Sequence, residues 1–474
     1  MRTPTQLDQD VYRILLYRNE ATELLLETPS SGIRMPAVSV PVHTRVAQEI
    51  TAAIKSAWNL ETYCLFPLPG GGPSHAPIRC QVLEVCRSDA EAPAGMQWLP
   101  AASLSADAFE DCADFAVVQN SLAVLDQHRR SELPGVFGKP GWLQIVTEWV
   151  EKQAAGAGLC LAGKFRQLNA SPTFSLIRFE TDGPALWFKA VGEPNLREYP
   201  ITLKLASVFP DFVPRILGSQ PQWNAWLTLE SEGCSLDANS TQTAWAVAAK
   251  DLALLQISSF GRGFAFINAG CMDLRPCSLL DLVDPFLNAM ADLMERQTKF
   301  APAPLSRREL LLLGHDITAA LNELSGCAIP NTLGHLDMNP GNLLACGTRC
   351  VFLDWAEAYV GPPFFTFQYL LEHWRRFYGV DSPHEQSLLS SYAIPWTRFA
   401  SSEEIASALR VAPLLAAFTY AAGSVRWRNP ESIRPETAGC LRSLTRRMKR
   451  EADCWTAGRR EPATSLRPFE VEVP

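Results

Sequence analysis

The sequence predicts an α+β protein made of a mixed α/β N-terminal segment, a β-rich segment and a large helical segment. Strand-like alternation dominates up to about residue 230, and helical periodicity dominates from about residue 241. A polar stretch rich in turn residues, 126–141, separates two regions that each contain strands. With ~150 residues as a soft guide to one domain, 474 residues suffice for about three domains.

Composition and charge narrow the class of protein. Apolar residues are 47% and charged residues 19% of the chain, as in a globular protein with a core. The net charge of −8 gives no support to a nucleic-acid or anionic membrane partner. The N-terminus lacks a signal-peptide pattern, no apolar run is long enough for a membrane span, and the 13 cysteines form no Cys-x-x-Cys pair. We therefore expect a cytoplasmic protein with reduced thiols, and its oligomeric state stays open.

The N-terminal segment, 8–125, has the elements of a mixed α/β domain. Val46, Ile50 and Ile54 recur at four-residue steps, which is typical of a helix with one apolar face. Strand-like runs and turn residues surround this helix. The predicted elements are strands at 11–17 and 23–27, a helix at 44–58, a loop rich in proline and glycine at 67–73, and a strand at 78–85.

The rest of the chain divides into a β-rich part, a helical part and a tail. We predict a linker at 126–141, a β-rich domain at 142–231, a helical domain at 232–456 and a flexible tail at 457–474. Within these parts, the predicted elements are helices at 142–154 and 196–208, strands at 174–179, 185–191 and 226–230, and short strands near 343–345 and 350–354.

The strongest chemical signal is a polar loop followed by a short apolar strand. The loop reads GHLDMNPGN (334–342), and VFLDW follows at 351–355. Phosphoryl transfer needs an acceptor hydroxyl held in line and cations that neutralise the phosphates. Asp337 can orient a hydroxyl and receive its proton. The amide oxygen of Asn342 and the carboxylate of Asp354 suit Mg²⁺, which needs few protein ligands.

This pattern resembles the aminoglycoside phosphotransferase and choline kinase-like family. The catalytic loop of that family reads H-x-D-x-x-x-x-N, and a short apolar run ending in I/L-D-W/F follows it. The chain matches this catalytic set at His335, Asp337, Asn342 and Asp354. The continuation DWAEAYVGP (354–362) is also similar to the family's D-W-E-x-A-x-x-G-x-P.

The resemblance implies a two-lobed protein-kinase-like fold, with the small β-rich N-lobe at 142–231 and the large helical C-lobe at 232–456. It implies transfer of the γ-phosphate of ATP, with GTP as the alternative donor, to a hydroxyl of a small molecule with Mg²⁺. Asn342 and Asp354 would be the metal ligands. His335 would brace the catalytic loop through hydrogen bonds without reacting.

The same resemblance implies a nucleotide site in the β-rich part. Lys189 would contact the α- and β-phosphates and be held by Glu198, with Glu193 as the second choice. Taken alone, a lysine in such a strand is more often an edge residue whose charged end reaches solvent. The hinge strand that would hydrogen-bond adenine or guanine includes Thr228, Glu230 and Ser231.

Some positions depart from the family pattern. The loop expected to cover the phosphates, near 167–174, has no glycine, and the hydroxyls of Ser171 and Thr173 would substitute. Thr366 stands where the family often has aspartate, and Leu336 replaces a frequent glycine. These departures leave open an alternative interpretation, a non-catalytic nucleotide-binding regulatory pseudokinase.

Residues 8–125 resemble a Nudix-type domain that has lost its chemistry. Trp98, Pro100 and Leu104 are similar to that family's W-x-P-x-x-x-L. The diagnostic helix motif R-E-x-x-E-E-x-G binds Mg²⁺ through glutamates, and these are absent here, with Glu49 alone lying one turn early. The resemblance therefore implies a binding or scaffolding domain without a site for a hard metal ion.

The acceptor of the phosphate is not specified by the sequence. Acceptors in the resembling family include aminoglycosides, choline-like amines, homoserine and sugars. Glu357 and Glu372, beyond the catalytic loop, could bind a cationic acceptor, and the competing interpretation is that they are solvated helix positions. The expected partners are thus a nucleoside triphosphate and a small hydroxylated substrate.

Overall fold

The computed structural model describes residues 9–42, 44–68, 79–237, 239–380, 384–429 and 433–460. The chain divides into two compact units. The first extends to Tyr199 and includes Arg215–Glu230. The second comprises Pro200–Pro214 and continues from Ser231.

A six-stranded sheet forms the N-terminal part of the first unit. Its elements are β1 (Gln9–Arg18), β2 (Glu23–Glu27), β3 (Ala37–Pro41), α1 (Val46–Trp58), β4 (Thr62–Leu68), β5 (Arg79–Val85), β6 (Met96–Pro100) and α2 (Cys112–Arg129). The strand order is β4-β5-β1-β2-β6, and β3 also pairs with β1. Strands β1 and β5 run parallel, and the other pairs are antiparallel.

The sequence patterns of this sheet correspond to the observed elements. The predicted strands at 11–17, 23–27 and 78–85 appear as β1, β2 and β5, while most of the loop predicted at 67–73 lies outside the described residues. Ile50 and Ile54 of α1 are fully buried in one cluster with residues of the sheet. Burial of each such side chain stabilises the fold by about 1.5–3 kcal/mol.

The Nudix-type resemblance of this segment stays a prediction. Helix α1 contains Glu49 in its first turn, as the sequence indicated. Among the described residues, no three His, Cys, Asp or Glu side chains are grouped closely enough to share one metal ion.

The predicted linker at 126–141 is ordered and partly buried. Helix α2 continues through Arg129, and a 3-10 turn follows at Val136–Gly138. Phe137 of this turn is 2% exposed and packs edge-on against Trp142 and Phe188, with ring centroids 5.2 and 6.0 Å apart. The polar composition predicted a linker, but a few apolar side chains such as Phe137 pack this segment into the first unit.

A five-stranded antiparallel sheet forms the rest of the first unit. The elements are α3 (Trp142–Gly156), β7 (Leu161–Ala170), β8 (Ser175–Thr181), β9 (Leu186–Ala190), α4 (Glu198–Val208), β10 (Ile216–Gln220) and β11 (Ala225–Leu229), of which α4 continues into the second unit. The sheet order is β10-β11-β9-β8-β7. The predicted strands correspond to β8, β9 and β11, and the predicted helices to α3 and α4.

The loop predicted at 167–174 is shorter than expected, because residues 167–170 belong to β7. Backbone pairing with β8 produces this extension, since Gln167 lies opposite Ile177. The buried side-chain amide of Gln167 also accepts a hydrogen bond from the Cys64 N–H at 2.7 Å and donates one to the Cys64 carbonyl at 2.9 Å. The side chain therefore pairs with β4 as a strand backbone would, and the loop itself is confined to residues 171–174.

The second unit is mainly helical. Its helices are α5 (Gln242–Ser258), α6 (Gly263–Asn268), α7 (Pro276–Glu295), α8 (Arg307–Ser325), α9 (Phe364–Tyr378), α10 (Glu385–Ala393), α11 (Ser402–Gly423) and α12 (Pro435–Arg460). Two three-stranded sheets complete it, with orders β12-β15-β16 and β13-β17-β14. Their strands are β12 (Cys234–Ser235), β13 (Met272–Asp273), β14 (Thr332–His335), β15 (Leu343–Cys346), β16 (Arg349–Phe352) and β17 (Ala358–Gly361).

Helices α11 and α12 can be compared with two predictions from the sequence, the absence of a membrane span and a tail from residue 457. Helix α11 is long and apolar enough to cross a membrane by composition, although no uninterrupted apolar run of that length was seen in the sequence, and 67% of its most apolar window is buried inside the protein. Such burial is typical of a core helix. Helix α12 includes residues 457–460, which were predicted as tail, and residues 461–474 lie outside the described residues.

Candidate active site

The catalytic loop connects β14 to β15 in the second unit. Strand β14 ends at His335 and β15 begins at Leu343, so that Asp337 and Asn342 lie between the two small sheets. Strand β16 pairs with β15 and leads into Asp354. The four predicted catalytic residues therefore lie at neighbouring strand ends of one unit.

His335 is a buried brace. Its Nδ1 accepts a hydrogen bond from the Asp337 N–H at 3.0 Å, so its Nε2 carries the proton and donates to the Leu353 carbonyl at 3.1 Å. Burial lowers the pKa of His335, which keeps the imidazole neutral. The ring thus ties the loop at Asp337 to the strand that precedes Asp354, in agreement with a supporting role.

The side chains of the loop converge on the Asp337 carboxylate. Asn339 Nδ2 donates to Asp337 Oδ1 at 2.9 Å, and Asn342 Nδ2 contacts Asp337 Oδ2 at 3.2 Å and the Asp337 carbonyl at 3.0 Å. The amide nitrogen of Asn342 is thereby directed toward Asp337, and its oxygen is directed away. This orientation leaves the Asn342 oxygen available to a cation.

Asp354 has a left-handed backbone conformation, with φ 61° and ψ 62°. This conformation is uncommon for a residue other than glycine, although aspartate and asparagine tolerate it best. Asp354 is exposed, and it follows Leu353, whose N–H donates to the Asn342 carbonyl at 2.8 Å. The residue before Asp354 is therefore hydrogen-bonded to Asn342, so that the segments carrying these two side chains lie next to each other.

Asp251 supports this arrangement and was missed by the sequence analysis. It lies on α5, is 9% exposed, and its Oδ2 accepts a hydrogen bond from the Cys350 N–H of β16 at 2.7 Å. Desolvation raises the pKa of Asp251, with the Cys350 hydrogen bond acting in the opposite direction. A single acid within an apolar helical run (AVAAKDLALL, 246–255) was the available signal.

Thr366 is a buried hydrogen-bonding residue of α9. The family that the sequence resembles often has aspartate at this position. Thr366 Oγ1 accepts a hydrogen bond from the His335 N–H at 2.9 Å and lies 3.0 Å from the Tyr359 hydroxyl. The Tyr359 hydroxyl donates to the Pro362 carbonyl at 2.9 Å, so it accepts from Thr366. The Thr366 hydroxyl is thus a buried acceptor for the backbone of the catalytic loop.

We expect Thr366→Val to reduce the free energy of unfolding by about 1–3 kcal/mol, because the buried His335 N–H loses its acceptor. Thr366→Ser keeps the hydroxyl and should lose less. Urea unfolding followed by circular dichroism measures both. Equal losses for valine and serine would contradict a role for the hydroxyl.

Gly334 makes room for the Tyr359 ring. A Cβ built at Gly334 would lie 2.0 Å from Cζ of Tyr359, which is fully buried and cannot move aside.

We expect Gly334→Ala to lower the free energy of unfolding by about 3 kcal/mol, at the upper end of overpacking costs. The same substitution at Gly439 of α12, where a Cβ meets nothing within 4 Å, is the control and should not destabilise the protein. Equal unfolding midpoints for the two variants would contradict this account.

In the first unit, Lys189 and Glu198 form the predicted pair. Lys189 Nζ lies 2.5 Å from Glu198 Oε1, and the two side chains are 16% and 2% exposed. Lys189 Nζ also lies 5.7 Å from the centroid of the Trp226 ring. Glu193, the second choice, is exposed. A charge pair this deeply buried is held in a fixed geometry, and its part in nucleotide binding stays a prediction.

The predicted phosphate-covering residues lie in a tight turn. The Ser171 N–H donates to the Phe174 carbonyl, and the Phe174 N–H donates to Ser171 Oγ, both at 2.9 Å. Thr173 packs against Gly192, where a Cβ would lie 2.3 Å from Thr173 Cβ. The Ser171 hydroxyl is therefore engaged within the turn.

The predicted hinge is partly occupied by contacts within the first unit. Thr228 is buried, and the N–H groups of Leu229 and Glu230 donate to the carbonyls of Arg215 and Ala185 at 2.9 and 2.8 Å. These two donors are therefore not free for a base. The first unit ends at Glu230 and the second resumes at Ser231, so Ser231 remains a hinge position.

The Glu230 side chain is also hydrogen-bonded within the first unit. Its carboxylate accepts two hydrogen bonds from Arg178, at 2.6 and 2.9 Å, and one from Trp187 Nε1 at 3.1 Å. Arg178 lowers the pKa of Glu230. This side chain therefore ties β11 to β8 and β9.

The two predicted substrate residues differ in their surroundings. Glu372 of α9 accepts hydrogen bonds from Gln368 at 3.0 Å and from Arg447 of α12, and its side chain is 16% exposed. Its charge is thus balanced within the helical unit, which argues against a cation site there. Glu357 is half-buried beside the catalytic loop, where its carbonyl accepts from the Leu336 N–H at 3.1 Å.

No family model and no curated protein matches the chain. Among solved structures, macrolide 2'-phosphotransferase MphH from Brachybacterium faecium is 18% identical with a TM-score of 0.40, covering 62% of this chain and 96% of that one. Choline kinase LicA from Streptococcus pneumoniae is 14% identical with a TM-score of 0.42, covering 65% and 99%. Choline kinase from Cryptosporidium parvum is 13% identical with a TM-score of 0.43, covering 66% and 97%.

This chain is itself a mixed α+β protein, and the low identities and TM-scores of these neighbours carry no further argument. The Nudix-type resemblance of the N-terminal segment finds no support among them. Any assignment of function therefore depends on the geometry of the site itself.

Proposed function

We propose that the chain is a phosphotransferase that moves the γ-phosphate of a nucleoside triphosphate to a hydroxyl of a small molecule. The observation that supports this best is the catalytic loop itself. A half-buried carboxylate, Asp337, is held by two asparagine side chains and by a neutral buried histidine at its backbone N–H. Such a carboxylate is positioned to accept a proton from a bound hydroxyl.

The proposed step conserves atoms and charge. Asp337 accepts the proton of the acceptor hydroxyl while the hydroxyl oxygen forms a bond to the γ-phosphorus. The bond from that phosphorus to the β–γ bridging oxygen breaks, and the nucleoside diphosphate leaves with the electron pair. The products are a phosphate ester, a nucleoside diphosphate and one proton, which passes from Asp337 to solvent.

The donor set suits Mg²⁺. Asn342 and Asp354 would supply an amide and a carboxylate oxygen from hydrogen-bonded neighbouring segments, and Mg²⁺ typically takes its other ligands from water and phosphates. Charge on the triphosphate would be neutralised by the ion held there. In the first unit, the buried pair of Lys189 and Glu198 is our candidate for contact with the α- and β-phosphates.

A binding measurement followed by a turnover measurement tests the proposal. Mg²⁺-ATP or Mg²⁺-GTP should raise the unfolding temperature, since a ligand that binds the folded state stabilises it. Release of nucleoside diphosphate should then depend on an acceptor from a panel of aminoglycosides, choline-like amines, homoserine and sugars. Absence of any nucleotide effect would remove the proposal. Glu357 is our candidate for contact with a cationic acceptor, and Glu372, which already pairs with Arg447, is the second candidate.

A non-catalytic regulatory role is the second candidate. The observation that favours it is the turn at 171–174, which has no glycine and whose Ser171 hydroxyl is engaged internally. Nucleotide binding without transfer to any member of the panel would favour this role over the first.

A further inference from the structure

The turn at 171–174 is held from outside by a second turn in the same unit. We call residues 135–141 the bracing turn. The Phe137 N–H of the bracing turn donates to the Pro172 carbonyl at 3.0 Å. Gly135 has φ +98°, and a Cβ built there would lie 2.0 Å from the Pro172 oxygen. The two turns are therefore in direct backbone contact, and only glycine fits at Gly135.

The bracing turn is itself hydrogen-bonded to the N-terminal sheet. Glu84 of β5 accepts hydrogen bonds at one oxygen, Oε2, from the Gly141 N–H at 2.8 Å, from the Tyr17 hydroxyl at 3.0 Å and from the Tyr63 hydroxyl. Tyr17 lies on β1 and Tyr63 on β4. The carboxylate thus joins three strands of that sheet to the end of the bracing turn.

Aromatic packing reinforces the same connection. Trp142, directly after the bracing turn, packs edge-on against Tyr63 and Phe137, with centroids 5.4 and 5.2 Å apart. Phe137 also packs edge-on against Phe188 of β9, the strand that carries Lys189. Packing of this kind leaves the bracing turn little freedom to move.

We infer that the N-terminal sheet, through Glu84 and the bracing turn, positions the loop at 171–174 over the phosphates of the nucleotide. A loop without glycine cannot adapt its backbone freely to a phosphate, so its conformation has to be set before the ligand binds. Glu84, Gly135 and Phe137 are then positioning residues, and the N-terminal domain is part of the nucleotide site's support. This inference rests on the proposed function.

Gly135→Ala tests the inference, because the new Cβ displaces Pro172 and with it the loop. We expect the Kd for Mg²⁺-ATP, measured by calorimetric titration, to rise at least tenfold, while the Kd for adenosine, which has no phosphate, changes less than twofold. Gly158→Ala is the matched control. Gly158 has φ +76° with nothing within 4 Å of its Cβ, so it carries similar backbone strain without touching the loop. Its two Kd values should stay at the wild-type values.

A second variant serves if Gly135→Ala does not fold. Glu84→Gln keeps the side-chain size and weakens the hold on Gly141, and it should raise the Kd for Mg²⁺-ATP several-fold without changing that for adenosine. Unchanged ATP binding in the folded variant, or equal losses for ATP and adenosine, would overturn the inference. A wild-type protein that binds no Mg²⁺-nucleotide would instead overturn the proposed function.

Discussion

Replacing Asp337 with asparagine is expected to lower kcat for phosphoryl transfer by about 10³-fold, within the range that general-base catalysis contributes. Asparagine keeps the size of the side chain and one acceptor oxygen for the neighbouring amides, but it cannot take up a proton from the acceptor hydroxyl. The Kd for Mg²⁺-ATP should stay within about threefold of wild type, because Asp337 is assigned to the acceptor and not to the nucleotide. Acceptor-dependent release of nucleoside diphosphate measures the first quantity, and calorimetric titration the second.

The control for this variant is Asp281→Asn. Asp281 is an exposed residue of α7 in the same unit, so its substitution removes the same charge far from the catalytic loop in sequence and element. It should change neither quantity. A kcat for Asp337→Asn within tenfold of wild type would remove Asp337 from its proposed role. A parallel collapse of ATP binding would instead point to a structural role for its contacts with Asn339 and Asn342.

The local geometry of the catalytic loop could be predicted because it depends on residues close together in sequence. Asp337 and Asn342 are five positions apart, and Pro340 and Gly341 provide the turn that brings their side chains together. The partners that hold this loop in place come from distant segments. Thr366 and Asp251 act through hydrogen bonds to backbone groups, which leave no pairwise pattern in one sequence. In the sequence alone, Thr366 is therefore only a departure from the family pattern, and Asp251 is only an acid within an apolar helical run.

The errors in the first unit have a related cause. Polarity and turn residues indicated a linker at 126–141, but packing against a sheet is decided by a few apolar residues such as Phe137. The pattern also placed residues 167–170 in a loop, whereas their pairing with β8 makes them a strand, and the buried side chain of Gln167 adds hydrogen bonds to β4. In both places, tertiary contacts outweighed local preference. In the second unit, the contact of Glu372 with Arg447, 75 positions away, likewise leaves no local pattern, and the part of Glu372 in acceptor binding stays a prediction.

The pair of Lys189 and Glu198 shows the converse. The lysine lies in a strand flanked by apolar residues and the glutamate starts the next helix, only nine positions later. Their contact was predicted from the resemblance to the kinase-like family, and the short separation between two regular elements allows it. Their part in nucleotide binding stays a proposal, because contact between two side chains says nothing by itself about a third group that they would bind.

Replacing Asp354 with asparagine is expected to raise the Mg²⁺ concentration required for half-maximal nucleotide binding by at least about tenfold, the scale on which loss of one charged ligand acts. Asparagine is the informative substitution because it tolerates the left-handed backbone of Asp354, with φ 61°. Alanine would add a conformational cost of about 1–2 kcal/mol, and metal binding could not then be separated from strain. Thermal shift with ATP across a Mg²⁺ titration gives the measurement.

Asp211→Asn provides the matched control for charge. Asp211 is a largely exposed residue of the second unit whose carboxylate lies 3.4 Å from Arg349, and pairs of this kind contribute little to stability. Its Mg²⁺ titration should superimpose on that of the wild type. If Asp354→Asn also follows the wild-type titration, Asp354 is not a metal ligand. The left-handed backbone of Asp354 would then be a feature of the turn that joins β16 to Trp355. In this turn, Trp355 Nε1 donates a hydrogen bond to the Phe352 carbonyl at 3.2 Å.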